Sequence, residues 1–535
     1  MWKFIKRGTD SMEGTLQHYM MKSLERYEEN PAITDVITKE TITYKEMRTK
    51  IDAIASYLHH LGVRQEMRVV YSVPNSIDYV LMSLALMKIG VTSSPMGVKL
   101  GEREIDFILN DVEPHVLIVG TDIFLQRAEK YAREQHPDIL VALEGFDLDI
   151  PDHFHAFNRR KLGDVVLVES FQDAEPEEIS TLAYTGGTTG TPKGVVHTQK
   201  GMLAALIACS IEYPLDDQDI VLLSTPLQHS AGSIMLRTLT SGAHLLIDTF
   251  TPERFLNVVT EKKVTMTFVV PTMIYRVIDA AKQRAYDVRS IKSIFYGSSP
   301  ISSARLKEAI EMFGPVFVQQ YGATEANVLI CRMHKSDHLR ALQTNGKFIQ
   351  SCGKPCLMTE LKIVNEDGDE VARGEKGEII LQAPYLMQGY YKRDDLTAEV
   401  LKDGWFYTGD IGQQDEEGFV YIVDRKKDMI ISGGMNVYSV EVEKVVNQHP
   451  SVKMSACIGV PDDDWGEAVL VFVKLEEGQE ASEDDIIAFC KERTSKYMVP
   501  KKILFQDQFP LTQIGKIDKK QLKSNFWQDQ SRMIH

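Results

Sequence analysis

The amino-acid sequence predicts an α/β protein with a large N-terminal domain and a smaller α+β domain at the C-terminus. Over roughly the first 400 residues, short apolar runs alternate with segments of helical spacing, a pattern typical of α/β units. Near Thr359 the pattern changes to short strands joined by turns, and beyond residue 424 helices and strands mix again. We therefore expect two domains, residues 1–424 and residues 425–535.

The first elements of the N-terminal domain are predicted to be two helices on either side of a strand. Residues 44–60 have the spacing of a helix that stops near Gly62, and glycine commonly follows the end of a helix. Residues 68–73 form a short apolar run that indicates a buried strand, and residues 77–89 predict the next helix, closed by Gly90. This order is expected of repeated α/β units.

Short apolar runs recur along the rest of the N-terminal domain. They cover residues 116–119, 220–223, 243–247, 266–270, 293–296 and 315–319. Runs of this length between helical segments indicate buried strands. Several of them end in turns rich in glycine, serine, threonine or proline. Because ligands bind at the carboxyl ends of the strands in such sheets, functional residues are expected in these turns.

Two further patterns follow towards the C-terminus. Strands of a small antiparallel β subdomain are predicted at residues 360–364, 378–382 and 419–423. The C-terminal domain is predicted to contain a helix at 440–448, strands near 456–460 and 469–475, and a helix at 482–491. The last helix begins at Ser482, a residue type favoured as an N-cap, and acidic residues fill its first turn.

Composition excludes several classes of protein. The chain has 535 residues, of which 43% are hydrophobic and 25% charged, as in globular proteins, and its net charge of −16 gives nucleic-acid binding no electrostatic support. No apolar run reaches the ~18 residues of a membrane span, and none follows the basic N-terminus as in a signal peptide. The six cysteines form neither a disulfide framework nor a zinc pattern. We therefore expect a cytoplasmic protein with reduced thiols and no integral membrane association.

The strongest chemical signal is a segment rich in glycine and threonine that follows the strand-like residues 180–183. It consists of Tyr184, Thr185, Gly186, Gly187, Thr188, Thr189, Gly190, Thr191, Pro192, Lys193 and Gly194. Glycines let backbone amides approach phosphate oxygens, the threonine hydroxyls add donors, and the lysine adds positive charge. The segment is not a Walker A loop, because Pro192 precedes the lysine and no Gly-Lys-Ser/Thr ends it. It predicts a phosphate-binding loop of another kind.

A second segment places a hydroxyl beside a carboxylate at the end of a predicted strand. It runs through Tyr321, Gly322, Ala323, Thr324 and Glu325. Magnesium prefers oxygen ligands and usually takes one or two carboxylates together with phosphates. The segment therefore predicts a site for a phosphate and Mg²⁺.

Three more positions lie in segments that resemble motifs of the enzyme family named below, and this resemblance implies that they recognise a nucleotide and an acid. Asp410, in Tyr407-Thr408-Gly409-Asp410, can accept hydrogen bonds from both hydroxyls of a ribose. Lys516, after Gly515, is a candidate to align two anions and to offset their charge in a transition state. His229 stands in a Pro-Leu-Gln-His-Ser-Ala-Gly turn that follows a predicted strand.

In this order and spacing, the segments resemble the motifs of the adenylate-forming superfamily, which includes acyl-CoA synthetases, peptide-synthetase adenylation domains and luciferases. The resemblance covers essentially the whole chain. It implies an N-terminal domain of two α/β sheets with a small antiparallel β subdomain, and a C-terminal domain that takes two arrangements about a hinge at Lys427. It also implies the substrates ATP and coenzyme A, with Mg²⁺ as the metal.

The resemblance assigns roles to individual residues of this chain. The catalytic residues are Lys516, Thr324, Glu325 and His229, and Glu325 also holds the metal. ATP is bound by Thr185, Gly186, Gly187, Thr188, Thr189, Gly190, Lys193, Gly297, Ser298, Tyr321, Thr324, Asp410, Arg425 and Lys516. Coenzyme A is bound by Ser432, Gly433, Gly434, Trp465, Tyr497 and Lys501, and the acyl pocket contains His229, Met273, Tyr296 and Ala323. The family usually has an aromatic residue where this chain has Gln228.

These roles imply an acid–CoA ligase that first forms an acyl-adenylate and then transfers the acyl group to coenzyme A. The neutral and apolar pocket residues favour a fatty or aromatic acid. Alternatives within the superfamily are an acyl-AMP ligase that loads a carrier protein and a luciferase-like oxygenase, which uses the same adenylate. The expected partners are small molecules, and the sequence leaves the oligomeric state open, including a homo-oligomer.

Overall fold

The computed structural model describes residues 14–163, 165–185, 192–299, 301–344, 346, 348–433, 435–462, 464–510, 517–524 and 526–527. These residues form two compact units. Unit 1 comprises the described residues up to Glu360 together with Leu381–Phe406, and unit 2 comprises Leu361–Ile380 and the described residues from Tyr407 onward. The expected boundary between residues 424 and 425 stays a prediction.

One sheet of unit 1 has eight strands. They are β3 (Arg68–Ser72), β4 (Thr92–Pro95), β5 (Val116–Val119), β6 (Ile139–Leu143), β7 (His155–Phe157), β8 (Ile179–Thr185), β9 (Lys193–Thr198) and β19 (Gly389–Tyr390). Their order in the sheet is β19-β9-β8-β4-β3-β5-β6-β7. The strands from β8 to β7 in this order are parallel, whereas β9 is antiparallel to both β8 and β19. The described residues of β8 and β9 therefore form an antiparallel pair, in which Thr185 lies opposite Lys193.

The other sheet of unit 1 has nine strands. They are β1 (Pro31–Asp35), β2 (Thr41–Thr43), β10 (Ile220–Leu223), β11 (His244–Ile247), β12 (Met266–Val269), β13 (Ser293–Gly297), β14 (Phe317–Tyr321), β15 (Cys331–Met333) and β16 (Lys354–Pro355). Their order is β16-β15-β14-β13-β12-β10-β11-β1-β2. Neighbours from β14 to β1 are parallel, and the strands at both edges are antiparallel. The carboxyl ends of the parallel strands consequently share one side of the sheet.

The helices of unit 1 pack against these sheets. They are α1 (Leu16–Leu24), α2 (Tyr44–His60), α3 (Ile77–Ile89), α4 (Glu102–Val112), α5 (Asp122–Gln135), α6 (Gln199–Glu212), α7 (Ser230–Thr240), α8 (Pro252–Lys262), α9 (Pro271–Ala281), α10 (Ser303–Phe313), α11 (Lys335–Gln343) and α12 (Asp394–Val400). The largest core cluster joins apolar residues of both sheets, such as Ile118 and Leu223, with residues of α1, α2, α3, α6 and α7. This burial is the main stabilising contribution to unit 1.

The remaining strands form two smaller sheets. The first contains β17 (Glu360–Val364), β18 (Lys376–Gln382), β21 (Trp405–Gln414) and β22 (Val420–Arg425), and β20 (Leu401–Lys402) makes a hairpin with the first residues of β21. The second, in unit 2, contains β23 (Ile430–Ser432), β24 (Met435–Val437), β25 (Val452–Asp462), β26 (Gly466–Leu475) and β27 (Lys502–Phe505). It packs with α13 (Ser439–Val446), α14 (Glu483–Lys491) and α15 (Lys519–Ser524).

The predicted α/β fold class is confirmed. The helices expected at 44–60 and 77–89 have these bounds in the structure, and Gly90 has a positive φ of 86° directly after α3. Ser482 is the N-cap of α14, as expected. Strand ends were less predictable, since β25 is longer than the expected strand at 456–460. In the part of the chain that the structure describes, no helix is long and apolar enough to cross a membrane.

Candidate functional site

The turn at residues 321–328 follows β14 and has a strained backbone. Asn327 and Val328 have positive φ angles of 45° and 61°, and a left-handed conformation is unusual for a β-branched residue. Gly322 lies against this turn, since a Cβ at Gly322 would come 2.1 Å from the Val328 carbonyl oxygen. Within the turn, Thr324–Ala326 form a single 3₁₀ turn. Strain of this kind persists only where the surrounding structure holds it, and it concentrates at functional sites.

A buried histidine from the eight-stranded sheet holds this turn. The His197 Nε2 lies 3.0 Å from the Thr324 carbonyl oxygen, and the Asn327 side-chain amide donates to Nδ1 over 3.1 Å. Asn327 also donates to the Tyr385 carbonyl oxygen, which fixes the orientation of its amide. His197 therefore carries its proton on Nε2 and donates it to Thr324. Burial lowers the pKa of His197 to about 4, so the ring is neutral at pH 7.

A buried arginine supports the same turn from the nine-stranded sheet. Arg332, on β15, is 1% exposed and lies 3.5 Å from the Glu212 carboxylate, and its guanidinium stacks 4.2 Å from the centre of the Tyr213 ring. It also donates to the Gln320 side-chain oxygen over 3.2 Å, and the Gln320 amide donates to the Val328 carbonyl oxygen over 2.7 Å. Sequence reasoning missed this pair, because the spacing of Glu212 and Arg332 carries no local signal.

The carboxylate of Glu325 is held by a tyrosine of the other sheet. The Tyr390 hydroxyl, on β19, donates to Glu325 Oε1 over 2.8 Å, which fixes the side chain. The Met387 backbone N–H donates to the Glu325 carbonyl oxygen over 2.8 Å, which fixes the main chain. Among the described residues no hydrogen bond to Glu325 Oε2 is made, which leaves one carboxylate oxygen for a further ligand. The position therefore suits Mg²⁺, which takes few protein carboxylates and completes its shell with phosphates and water.

The lysine of the glycine- and threonine-rich segment lies against the same tyrosine. Thr185 ends β8 and Lys193 begins β9, and the two residues lie opposite each other in this antiparallel pair of strands. The Lys193 ammonium lies 4.8 Å from the centre of the Tyr390 ring, in a cation–π contact. Five predicted phosphate-binding residues fall outside the described residues, and their role stays a prediction. They are Gly186, Gly187, Thr188, Thr189 and Gly190.

The strand ends of β13 and β14 approach each other closely at Gly297. A Cβ at this position would come 2.3 Å from the Gln320 carbonyl oxygen, so only glycine fits, and Ser298 follows with a positive φ of 69°. Tyr296, expected in the acyl pocket, has a fully buried side chain whose hydroxyl is 2.9 Å from His338 Nε2. Its ring thus packs between β13 and α11, and a role in a pocket stays a prediction.

The other residues expected around an acyl group lie at helix starts and strand ends of unit 1. His229 directly precedes α7 and is accessible to solvent, although the protein atoms around it lower its pKa by desolvation. Its Nε2 is 3.6 Å from the place where a Cβ on Gly97 would stand. Met273 is buried in the first turn of α9, and Ala323 is half-buried after β14.

In unit 2, Asp410 and Arg425 form an ion pair, and their predicted role at a ribose stays a prediction. They are directly opposite each other on β21 and β22, and the Arg425 Nε contacts the Asp410 carboxylate. Asp410 is buried, whereas the Arg425 side chain is 50% exposed. The backbone around Asp410 is also fixed, because Thr408 Oγ1 accepts from the Asp410 N–H over 3.0 Å. The pair can present a carboxylate and a guanidinium to one ligand.

Lys516 lies outside the described residues, but the residues after it are firmly anchored. The Lys519 ammonium donates to Glu443 Oε1 over 2.6 Å and to Ser439 Oγ over 2.8 Å. Ser439 also donates from its backbone and its hydroxyl to Asp424, the residue before Arg425. This buried cluster therefore joins the end of β22, the start of α13 and the start of α15.

Two of the residues expected to contact coenzyme A touch each other in unit 2. The Lys501 ammonium lies 4.5 Å from the centre of the Trp465 ring, and the ring is 43% exposed. Gly433 packs on the same ring, since a Cβ there would come 2.6 Å from it. Ser432 is buried beside Gly466, and Tyr497 is half-buried against the core of unit 2. Gly434 falls outside the described residues.

The segment between β22 and β23 contains Lys427, the expected hinge. Lys427 is half-buried, and burial lowers the pKa of its ammonium to about 8, with the positive charge of Arg425 acting in the same direction. Asp428, next in the chain, opposes this shift. The structure describes one arrangement of this segment, and its role as a hinge stays a prediction.

Family models and individual relatives both relate this chain to AMP-binding enzymes. Residues 21–391 match the family of AMP-binding enzymes, and residues 441–516 match the C-terminal domain of AMP-binding enzymes. A medium/long-chain-fatty-acid–CoA ligase, FadD8 of Mycobacterium tuberculosis, is 38% identical over 68% of this chain, and the match spans 64% of that relative's length. A feruloyl-CoA synthase of an Amycolatopsis species is 34% identical over 91% of this chain and 94% of the relative.

A solved structure supports the same comparison. The o-succinylbenzoate CoA synthetase MenE of Bacillus subtilis, in complex with its acyl-adenylate intermediate, superposes with a TM-score of 0.81 at 26% identity. The alignment covers 94% of this chain and 97% of that one. The two sheets of unit 1 and the smaller sheets that follow are thus a fold shared with enzymes of this kind.

The neutral state of His197 predicts a specific pH dependence of stability. The unfolded chain binds a proton at this histidine below about pH 6.5, whereas the folded chain does so only below about pH 4. Acidification from pH 7 to pH 5 therefore favours unfolding, by about 2 kcal/mol from this residue. His197→Gln keeps a donor for Thr324 and an acceptor for Asn327 but does not titrate, so its free energy of unfolding should depend less on pH.

The measurement is urea denaturation of both proteins at pH 7 and pH 5. His153→Gln, at an exposed histidine, is the matched control and should keep the pH dependence of the unsubstituted protein. Equal pH dependence in the His197 variant and the control would contradict the assigned protonation state.

Proposed function

The chain belongs to the AMP-binding enzyme family, and we propose that it is an acid–CoA ligase that activates a fatty or aromatic acid. In the first half-reaction the acid's carboxylate attacks the α-phosphorus of ATP, forms an acyl-adenylate and releases pyrophosphate. In the second, the thiolate of coenzyme A attacks the adenylate carbonyl, forms the thioester and releases AMP. The observation that carries this proposal is the meeting of Lys193 and Glu325 at Tyr390.

The phosphates of ATP are proposed to lie between the β8–β9 hairpin and the 321–328 turn. Lys193 supplies a positive charge there, and Thr324 and Glu325 supply oxygen atoms on a turn held by His197. Bound Mg²⁺ would offset the negative charge of the phosphates, with Glu325 as its protein ligand. Tyr321, Gly297 and Ser298 are proposed to flank the adenine.

The ribose is proposed to bind the Asp410–Arg425 pair of unit 2. A carboxylate accepts hydrogen bonds from two adjacent hydroxyls, and the exposed face of Arg425 can meet a phosphate oxygen. The Asp410 side chain loses little conformational freedom when a ribose binds, because Arg425 and the surrounding backbone already fix its position.

Lys516 is proposed to bring the two anions of the first half-reaction together. A lysine that contacts both the carboxylate and the α-phosphate reduces their repulsion, and this contribution is largest in the transition state. The Lys519 cluster supports the proposal, since it anchors the chain only three residues further on. A domain boundary at 424/425 and a hinge at Lys427 would let residues 425–535 reorient between the two half-reactions.

Coenzyme A is proposed to bind the surface of unit 2 that carries Trp465. Its adenine can stack on the exposed indole, and Lys501 beside the ring can meet a phosphate. Ser432, Gly433 and Gly434 would line the passage of the thin pantetheine arm. Tyr497 is proposed as a further contact, at the edge of the unit 2 core.

The acid is proposed to lie near His229, Met273, Tyr296 and Ala323, which are neutral or apolar. The relatives support this class, because one is named for medium- and long-chain fatty acids and another for feruloyl-CoA. A third, a 2-succinylbenzoate–CoA ligase of Bacillus cereus, is named for an acid that carries an aromatic ring.

A panel of acids tests the proposed substrate class. The purified protein, given ATP and Mg²⁺, should exchange labelled pyrophosphate into ATP with medium-chain or aromatic acids. Exchange confined to malonate or succinate would refute the substrate class, and no exchange with any acid would refute the activation of acids. Thioester formation is then measured with coenzyme A and with a phosphopantetheinylated carrier protein, and oxygen consumption is measured with the same acids. Thioester formation with coenzyme A supports the proposal, transfer to the carrier protein alone supports an acyl-AMP ligase, and oxygen consumption supports a luciferase-like oxygenase.

Substitution of Lys516 separates the half-reactions. Lys516→Ala should slow adenylate formation by ~10²–10³-fold, because one donor to the transition state is lost. Thioester formation from supplied acyl-adenylate should change much less, since no pyrophosphate is expelled in that step. Lys520→Ala, at an exposed lysine of the same segment, is the control. An equal loss in both steps would be inconsistent with the assigned role.

Substitution of Trp465 tests the coenzyme A surface. Trp465→Ala should raise the KM for coenzyme A by ~5- to 150-fold, the range expected when stacking worth ~1–3 kcal/mol is lost. Pyrophosphate exchange, which needs no coenzyme A, should stay unchanged. Phe505→Ala removes another aromatic residue of unit 2 with similar exposure, 44% against 43%, and should leave both quantities unaltered. An unchanged KM in the Trp465 variant would place the nucleotide of coenzyme A elsewhere.

A further inference from the structure

We infer that Tyr390 is a positioning residue that holds Lys193 and Glu325 apart, so that one faces the phosphates and the other the metal. The inference rests on the proposed function, because it explains how Lys193 and Glu325 are positioned to bind a metal–nucleotide complex. It concerns three described residues of unit 1, and each contact is a separate observation.

The first contact is made by the hydroxyl group of Tyr390. It donates to Glu325 Oε1 over 2.8 Å, and burial together with the neighbouring Glu325 raises the pKa of the phenol, so it keeps its proton and remains a donor. With one carboxylate oxygen held, rotation of the carboxylate is restricted and the second oxygen has a fixed direction. Partners of metal ligands act in this way, and their loss typically weakens metal binding ~10- to 100-fold.

The second contact is made by the face of the same ring. Lys193 Nζ lies 4.8 Å from the ring centre, and the negative face of an aromatic ring attracts a cation without accepting a conventional hydrogen bond. A carboxylate partner would neutralise the lysine and occupy its N–H groups. The ring instead leaves the charge and the three donors of the ammonium available to phosphate oxygens.

The two contacts together keep opposite charges from pairing. Lys193 and Glu325 both approach Tyr390, and among the described residues no ion pair joins them directly. A direct pair would remove the cation needed by the phosphates and the anion needed by the metal. With its face on one charge and its hydroxyl on the other, Tyr390 occupies the space in which they would otherwise meet.

Tyr390 is itself fixed in place. It is 6% exposed, its backbone N–H donates to Thr397 Oγ1 over 2.9 Å, and it pairs with Val195 on β9. Val195 is two residues from Lys193 on the same strand, so both side chains project from one face of the sheet. The tyrosine and the lysine are therefore held in register by strand pairing.

Two substitutions separate the two contacts. Tyr390→Phe removes the hydroxyl and keeps the ring, whereas Tyr390→Leu removes both. Mn²⁺ binding is measured by electron paramagnetic resonance in the complex with a non-hydrolysable ATP analogue whose α,β-bridge is a methylene group. Binding of the same analogue without metal is measured by calorimetry in the presence of a chelator.

Tyr390→Phe should weaken Mn²⁺ binding by ~10- to 100-fold and leave the metal-free affinity for the analogue within about twofold. Tyr390→Leu should weaken Mn²⁺ binding as well and also lower the metal-free affinity, because Lys193 is then free to pair with Glu325. In a Glu325→Gln background, Tyr390→Phe should have no additional effect on Mn²⁺ binding. The inference is overturned if Tyr390→Phe binds Mn²⁺ like the unsubstituted protein, or if its effect persists in that background.

A control distinguishes positioning from a general loss of stability. Tyr421→Phe removes a hydrogen bond of the same kind, 3.0 Å to Asp415 in unit 2. It should lower the midpoint of thermal unfolding about as much as Tyr390→Phe does and leave Mn²⁺ binding unaltered. Equal loss of Mn²⁺ binding in both variants would overturn the inference. The proposed function itself fails if the unsubstituted protein neither binds the analogue nor exchanges pyrophosphate. If the unsubstituted protein exchanges pyrophosphate but Tyr390→Phe binds Mn²⁺ normally, only the inference is rejected.

Discussion

The hydrogen bonds that cross between the two sheets at the 321–328 turn are the constraint on which the rest of unit 1 depends. His197 and Tyr390 belong to one sheet, and the Thr324 carbonyl and the Glu325 carboxylate follow a strand of the other. Two left-handed residues make the turn costly by itself. The cross-sheet bonds offset this cost, and in doing so they fix where a carboxylate stands relative to a lysine.

The interior beneath this turn is polar, which is unusual for a core. Arg332 is 1% exposed, and its charge is balanced by Glu212, by the Tyr213 ring and by the Gln320 amide. A buried charge pair contributes little net stability, but it penalises every arrangement in which a partner is missing. Gln320 links this pair to Val328, so the packing of the core and the shape of the turn are specified together.

The sequence predicted the helices that depend on local residue spacing and the candidate site residues that depend on the order of motifs. Helical spacing located α2 and α3 to the residue, and the structure brings Asp410 and Arg425, 15 positions apart in the chain, directly opposite each other. The contacts of Tyr390 were missed, because Glu325 is 65 positions away and no periodicity links the two. The pairing of Lys519 with Glu443 inside unit 2 was also missed, since helix position alone does not reveal a buried acidic partner.

Because the pKa of Lys427 is lowered to about 8, the segment between β22 and β23 loses a positive charge as the pH rises through this value. Near pH 8 about half of the molecules carry a neutral amine there. Arg425 is two residues away and bonded to Asp410, and its positive charge lowers the pKa of Lys427, whereas the Asp410 carboxylate raises it. Any movement that exposes Lys427 to water would return its affinity for protons towards that of an ordinary lysine. Such a movement would be accompanied by proton uptake from the solvent, and a weakly buffered solution would register it as a rise in pH.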